Sequence, residues 1–117
     1  MNEIVLTGAS GLLGRAIMAE LLPNFDIIGL GLNRIHSGIQ KLNLLDTESV
    51  NEFMWTVKPD ILIHSAAERR PDISQNDPKR TIALNVEATR HVARLAYQTG
   101  SWMIYLSTNY VFDGTSP

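Results

Sequence analysis

The sequence feature that most constrains the fold is a set of three glycines near the N-terminus. Gly8, Gly11 and Gly14 recur at every third position, directly after an apolar run over residues 3–7 and at the start of an amphipathic stretch. Glycine adopts backbone conformations that are closed to other residues, and it lacks the Cβ that keeps other groups at a distance. The pattern therefore predicts a tight strand-to-helix turn, where backbone N–H groups at the helix N-terminus can bind a phosphate.

The rest of the chain alternates short apolar runs with amphipathic stretches. This β-α-β-α-β-α-β order predicts a parallel sheet with helices on both faces, the Rossmann-type doubly wound α/β fold. The predicted strands are 3–7, 25–30, 60–64 and 102–106, and residues 40–44 are predicted as a short third strand or an extended segment. Helices are predicted over 11–22, from the N-cap Asp46 to Lys58, and from the cap Asn76-Asp77-Pro78 to Gly100.

Charge and composition exclude several classes of partner. The chain has 117 residues, of which 44% are hydrophobic, so we expect one domain over 1–117. A net charge of −2 with scattered cations gives no basic surface for nucleic acid or an anionic membrane. No cysteine and no His-x-x-x-His spacing occur, so we expect no metal site. No apolar run approaches the roughly 20 residues of a membrane span. No secretory leader opens the sequence, so we expect a cytoplasmic protein.

The position of the glycines favours a dinucleotide ligand over other phosphates. Their spacing is Gly-x-x-Gly-x-x-Gly, which differs from the Gly-x-Gly-x-x-Gly of ordinary dehydrogenases, and the Gly-Lys-Ser/Thr of a P-loop is absent. In the predicted fold the first strand-to-helix turn is the place where a pyrophosphate binds. The alternative is that the glycines only shape the turn.

The residues after the second predicted strand favour NADP over NAD. Rossmann proteins that bind NAD place a carboxylate about 20 residues after the last glycine, where it binds the ribose 2′-hydroxyl. That position is Arg34, and no acidic residue lies between Asp26 and Asp46. Arg34, beside Asn33, offers donors to a 2′-phosphate. A solvated loop arginine is the alternative, and Arg15 is a weaker candidate for the same role.

Three segments in combination resemble the extended short-chain dehydrogenase/reductase family. They are the glycine turn, Ser65-Ala66-Ala67 and the run over residues 106–114 near the end, Leu-Ser-Thr-Asn-Tyr-Val-Phe-Asp-Gly. Within the family, the chain resembles the dTDP-4-dehydrorhamnose reductases and the regulatory beta subunits of methionine adenosyltransferase, and residues 43–46 and 66–72 are especially similar to the latter. The resemblance covers all 117 residues. It implies that the chain is the N-terminal part of a longer Rossmann domain.

The resemblance also implies a set of cofactor contacts. By position these are Gly8, Ser10, Gly11, Leu12, Leu13 and Gly14 at the pyrophosphate, Leu32, Asn33 and Arg34 at the ribose phosphate, Asn43 and Leu44 at the adenine, and Ser65, Ala66 and Arg69 close to the cofactor. Other interpretations stay open, since Leu44 can be a core residue, Ala66 a small loop residue and Arg69 a solvated charge. Asn85 matches an asparagine that the superfamily places, buried, in the long helix under the active site.

Thr108 matches the catalytic Ser/Thr of the family, whose hydroxyl polarises the substrate carbonyl. Its companion in the family is a Tyr-x-x-x-Lys pair, in which the lysine lowers the pKa of the tyrosine. No tyrosine of this chain has a lysine four residues later, and Asn109 replaces the aspartate that usually follows the threonine. Because the pair lies further downstream in the family, we expect residues 1–117 alone to be inactive.

Two functions follow from the resemblance. The first hypothesis is an NADP-dependent reductase of a small-molecule sugar nucleotide, of the dTDP-4-dehydrorhamnose reductase type, with this chain as its cofactor-binding half. The alternative is a nucleotide-binding regulatory subunit that associates with the methionine adenosyltransferase catalytic subunit. A methyltransferase-like fold is a third option, but it requires an acidic residue at the end of the second strand, where none occurs.

Overall fold

The computed structural model describes residues 3–9, 11–31, 39–65 and 78–106. In these ranges five strands and three helices form. In chain order they are β1 (Glu3–Thr7), α1 (Leu12–Leu21), β2 (Asp26–Gly31), β3 (Ile39–Lys41), α2 (Thr47–Val57), β4 (Ile61–Ser65), α3 (Pro78–Thr99) and β5 (Trp102–Leu106). Every predicted element is present, with shifts of one or two residues at most ends.

The strands of the described ranges form one parallel sheet in the order β3-β2-β1-β4-β5. Val5 in β1 pairs with Ile28 of β2 on one side and with Leu62 of β4 on the other. After β3 the chain returns across the sheet, so the direction in which strands are added reverses between β1 and β4. In doubly wound folds, ligands bind outside the carboxyl ends of the strands at such a switch point.

Helices cover both faces of the sheet, as the doubly wound prediction requires. Alternate residues of β1 point to opposite faces, because side chains alternate along a strand. On one face, α1 contributes Met18 to a buried cluster. The remaining members of that cluster come from the strands and the glycine turn, and they are Ile4, Leu6, Ala9, Ile27, Ile39 and Ile63. On the other face, α2 and α3 pack over a second cluster, formed by Val5, Leu30, Val50, Met54, Leu62, Val92, Leu95 and Ala96.

Local signals in the sequence fix the helix ends. The Asp46 carboxylate accepts a hydrogen bond from the Ser49 backbone N–H at 3.3 Å, which confirms the predicted N-cap of α2. Lys58 ends that helix with φ +46°, and Gly100 follows α3 with φ +81°. Both are left-handed conformations that stop a helix, and Gly100 adopts its own without strain.

The predicted third strand is wrong at its carboxyl end, since β3 ends at Lys41 and not at residue 44. The Asn43 carbonyl oxygen accepts the Asp46 backbone N–H at 2.9 Å, and the Asn43 side chain accepts the Leu45 N–H at 2.9 Å. These bonds form a turn directly before α2. Backbone groups used in that turn are lost to the sheet, so the ladder stops.

The edge strand β5 is the least covered part of the described sheet. Trp102 is 80% exposed, and Ile104 and Tyr105 are exposed as well. No helix in the described ranges has the length and apolar character needed to span a membrane. The same ranges contain no group of three or more His, Cys, Asp or Glu side chains placed to bind a metal ion.

Candidate functional site

The glycine turn lies at the carboxyl end of β1, where the sheet changes direction. Gly8 has φ +67°, in the left-handed region that favours glycine. A Cβ at Gly8 would lie 2.6 Å from the carbonyl oxygen of Ser65, at the end of β4. The two strand ends are therefore in direct contact at the base of the turn. Gly8 is required both for its conformation and for this close approach.

Gly14 holds the first turn of α1 against the glycine turn itself. A Cβ at Gly14 would lie 2.0 Å from the carbonyl oxygen of Gly8 and 2.7 Å from the Cα of Ala9. The contact is with the backbone of the turn, because α1 begins immediately beyond it. Gly14 sets where the helix N-terminus lies.

Contacts within the protein do not explain why residue 11 is a glycine, since Gly11 has neither an unusual φ nor a close neighbour. Its φ is −77°, and the nearest atom to an added Cβ is the Gly8 carbonyl oxygen at 3.5 Å, an ordinary contact distance. Gly11 is also the N-cap of α1. The open space beside it is where we expect the backbone to approach a pyrophosphate.

The N-terminus of α1 has the properties of an anion site. The N-cap residue makes no side-chain capping bond, and the first turn contains no acidic residue. The first backbone N–H groups of a helix have no acceptor within the helix, so those of Leu12 and Leu13 are available to a ligand. The helix dipole adds about half a positive charge at this end. The Leu12 side chain is 84% exposed beside these amides.

Buried polar groups lie directly beneath the turn. The Thr7 hydroxyl lies 2.7 Å from Nδ1 of His64, and it accepts the Ser65 backbone N–H at 3.1 Å. The other ring nitrogen of His64, Nε2, lies 2.9 Å from the Thr89 hydroxyl of α3. Burial lowers the pKa of His64 to about 4, so its ring is neutral near pH 7.

The predicted adenine contacts follow the end of β3. Because all strands are parallel, Asn43 and Leu44 lie at the same edge of the sheet as the glycine turn. The Asn43 side-chain oxygen already accepts the Leu45 N–H, and Leu44 packs against the core cluster on the α2 side. The core interpretation of Leu44 therefore holds, and its contact with adenine stays a prediction.

The structure brings six of the fourteen predicted cofactor contacts together around one junction. Gly8, Gly11, Leu12, Leu13, Gly14 and Ser65 surround the junction of β1, α1 and β4. Other predicted residues lie outside the described residues, and they are Ser10, Leu32, Asn33, Arg34, Ala66, Arg69 and Thr108.

The prediction that Asn85 is buried is wrong, because its side chain is exposed. Asn85 lies one helical turn before Thr89, on the same side of α3, because residues four apart share a helix face. It is Thr89 that reaches the buried network beneath the turn. The sequence signal that could have found this network is His64 itself, a polar residue inside an apolar strand.

The whole chain, residues 1–117, matches the family model described as the RmlD substrate binding domain. The chain belongs to this family. The predicted resemblance to reductases of the dTDP-4-dehydrorhamnose type is thereby confirmed.

Curated relatives fall in both predicted groups. Methionine adenosyltransferase 2 subunit beta of Xenopus laevis is 45% identical over 117 residues, which cover 99% of this chain and 35% of the relative. The dTDP-4-dehydrorhamnose reductase of Escherichia coli is 30% identical over 113 residues, which cover 97% of this chain and 36% of the relative. The chain therefore spans about a third of the length of the curated relatives it matches.

Two solved structures show the same architecture. A hypothetical dTDP-4-dehydrorhamnose reductase from Sulfolobus tokodaii has a TM-score of 0.82 and 31% identity, and the match covers 97% of this chain and 42% of that one. The dTDP-4-dehydrorhamnose reductase of Bacillus anthracis, in complex with NADP, has a TM-score of 0.73 and 28% identity, covering 99% and 39%. The family member described here therefore has the predicted Rossmann-type fold.

Proposed function

We propose that this segment binds NADP(H), with the pyrophosphate at the N-terminus of α1. The observation that carries the proposal is a helix start with no side-chain cap, set behind the glycine turn at the switch point of the sheet. Free amides and the helix dipole favour an anion there. The Bacillus anthracis reductase, which shares the fold, is in complex with NADP.

Selectivity for NADP rests on Arg34. A guanidinium near the adenosine ribose binds a 2′-phosphate, whereas the acidic residue that binds a free 2′-hydroxyl is missing from the sequence between Asp26 and Asp46. Loss of a charge-assisted hydrogen bond costs about 2 kcal/mol, or about thirtyfold in affinity.

The test is a fluorescence titration of the complete protein with NADPH and with NADH. Arg34→Ala should weaken NADPH binding about thirtyfold and leave NADH binding unchanged. Arg94→Ala is the matched control, because Arg94 is an exposed arginine of α3. If Arg34→Ala binds NADPH as tightly as the control does, the case for NADP is lost.

For the complete protein, the first candidate function is reduction of a 4-keto sugar nucleotide of the dTDP-4-dehydrorhamnose type. When bound, NADPH would supply the hydride for the carbonyl carbon. The Thr108 hydroxyl would polarise the carbonyl oxygen, and the tyrosine of the downstream Tyr-x-x-x-Lys pair that the resemblance implies would donate the proton that this oxygen takes up. Thr108→Ala should lower kcat about a hundredfold and leave NADPH affinity unchanged, since the hydroxyl acts on the substrate. Equal kcat values for the variant and the wild type would contradict this role.

The second candidate is a regulatory subunit of methionine adenosyltransferase. The observation in its favour is the higher identity to the beta subunits, 45% in Xenopus laevis against 30% for the Escherichia coli reductase. Both candidates require the same nucleotide site. Co-purification of the complete protein with a methionine adenosyltransferase catalytic subunit, without turnover of dTDP-4-dehydrorhamnose, would favour regulation. Turnover without a complex would favour the reductase.

A further inference from the structure

A continuous chain of hydrogen bonds links three elements beneath the glycine turn. It runs from the Ser65 N–H to the Thr7 hydroxyl in β1, then to His64 in β4, and ends at Thr89 in α3, with distances of 3.1, 2.7 and 2.9 Å. Thr7 and His64 are 1% and 2% exposed, so water does not compete for these groups. A strand position in the middle of a parallel sheet is usually apolar, so a fully bonded histidine there calls for a reason.

The donors and acceptors in this chain define one tautomer of the imidazole. The Thr7 hydroxyl accepts the Ser65 N–H and still has its own proton to donate. Nδ1 of His64 can accept that proton. Nε2 then carries the ring proton and donates it to Thr89 Oγ1. In the opposite tautomer, the Thr7 proton has no acceptor among the contacts of the described residues. A buried donor without an acceptor is unfavourable, so the Nε2–H form is preferred.

The network is directly joined to the backbone of the turn. Thr7 precedes Gly8, and Ser65 follows His64. These two neighbours are in close contact, because a Cβ on Gly8 would lie 2.6 Å from Ser65 O and 3.3 Å from Ser65 Cβ. Any change in the spacing of the two strand ends therefore displaces Gly8, and the amides at the start of α1 move with it.

We propose that His64 is a positioning residue for the bound pyrophosphate. Through Thr7 it holds the ends of β1 and β4 at the spacing that the glycine turn requires, and Thr89 accepts the ring N–H of the tautomer that Thr7 selects. The proposal rests on the proposed function, since it takes the turn as the pyrophosphate site. A residue that only fills space would need no hydrogen bonds, and the stacking of Tyr105 on the ring, with centroids 5.7 Å apart, would suffice.

The experiment compares Thr89→Val with Thr99→Val in the complete protein. Both substitutions replace a hydroxyl of α3 by a methyl group of similar size. Thr89 bonds His64, whereas Thr99 bonds only carbonyl oxygens of its own helix. Thr89→Val should weaken NADPH binding about fivefold, because it leaves the Nε2–H of the buried His64 ring without its acceptor. The ¹⁵N signal of His64 Nε2 should shift as its hydrogen bond is lost, and Thr99→Val should change neither measurement.

Substitutions of His64 supply the rescue test. Asparagine places its side-chain oxygen where Nδ1 lies and can accept the Thr7 proton, whereas leucine offers no acceptor. We expect His64→Leu to lose about tenfold or more in NADPH affinity, and His64→Asn to recover part of that loss. If Thr89→Val and both His64 variants bind NADPH as the wild type does, within about twofold, His64 only packs and the inference is overturned.

Hydrogen exchange at the Ser65 amide separates this inference from the proposed function. If the wild type fails to bind NADPH, the proposed function is wrong, and the ligand assigned to His64 is wrong with it. The strand-positioning part is still tested, because Thr89→Val should accelerate exchange of the Ser65 N–H about fivefold relative to Thr99→Val. Equal exchange rates in the two variants would overturn that part as well.

Discussion

Substitution of Gly14 by alanine gives a prediction whose sign the structure decides. In a helix interior, alanine is favoured over glycine by about 1 kcal/mol, so propensity alone predicts a more stable protein. The added Cβ would lie 2.0 Å from the Gly8 carbonyl oxygen, whereas ordinary contacts begin at 3.4 Å. The obstacle is backbone, which a side-chain rotation cannot relieve. Helix α1 must therefore shift by about 1.4 Å relative to the turn.

That shift repacks the face of α1 that contacts the sheet. Met18 lies in the buried cluster, and Ile17 and Leu21 pack against it. Overpacking of a core typically costs 1–3 kcal/mol, and backbone obstacles lie at the upper end of that range. After the gain in helix propensity is subtracted, we expect Gly14→Ala to lower the free energy of unfolding by about 2 kcal/mol.

Urea unfolding of the complete protein measures this change. The midpoint should fall while the m-value stays constant, because one added methyl group hardly changes the surface that unfolding exposes. Gly11→Ala is the matched control, since the nearest atom to its Cβ is 3.5 Å away and its φ is −77°. We expect it to change stability by less than about 1 kcal/mol and to weaken NADPH binding. A Gly14→Ala protein as stable as the wild type would refute the packing argument.

Three further predictions concern pH and packing. The pKa of His64 is lowered to about 4 from an ordinary 6.5, so the stability that its neutral ring contributes is complete above pH 6.5 and is lost as the pH falls toward 4. In urea unfolding over this pH range, His64→Asn should lose less unfolding free energy than the wild type does. Hydrogen bonds from Ser49 lower the pKa of Asp46 below 3.8. The stability advantage of the wild type over Asp46→Ala should therefore be present above that pH and vanish as acid protonates the carboxylate of the folded protein. If the unfolding free energy falls with pH equally in the two proteins, Asp46 does not cap α2. Met54→Ala should cost about 2–5 kcal/mol of unfolding free energy, against about 1 kcal/mol or less for its neighbour Trp55→Ala, because the side chains are 2% and 44% exposed.

Most of the secondary structure could be predicted from the sequence because the signals are local. The β5 prediction matches the structure at both ends, and Asp46, Lys58 and Gly100 mark helix ends through their own conformations and bonds. The end of β3 could not be predicted in this way. An apolar pair, Leu44 and Leu45, continues the strand pattern there, but the turn made by the Asn43 side chain prevails.

The candidate site was predicted in part. The glycine turn was found from spacing and position, because a strand-to-helix turn of this kind requires glycine locally. The contact of Gly14 within the protein was not predicted, since only the structure shows that α1 meets the backbone of the turn there. The prediction that Asn85 is buried was also wrong. Which side of a long helix faces the sheet near its start depends on the neighbouring strands as well as on the helix pattern.

The sequence by itself determined the order of strands and helices, the glycine turn and the helix caps, since each depends on residues close together in the chain. The tertiary structure alone decided that His64 joins Thr7, 57 residues away, and Thr89, 25 residues away. A parallel sheet brings together strand ends that are remote in sequence, and no local pattern encodes which polar groups meet there. The neutral state of His64 follows from the same assembly, because only the packed sheet removes water from the ring.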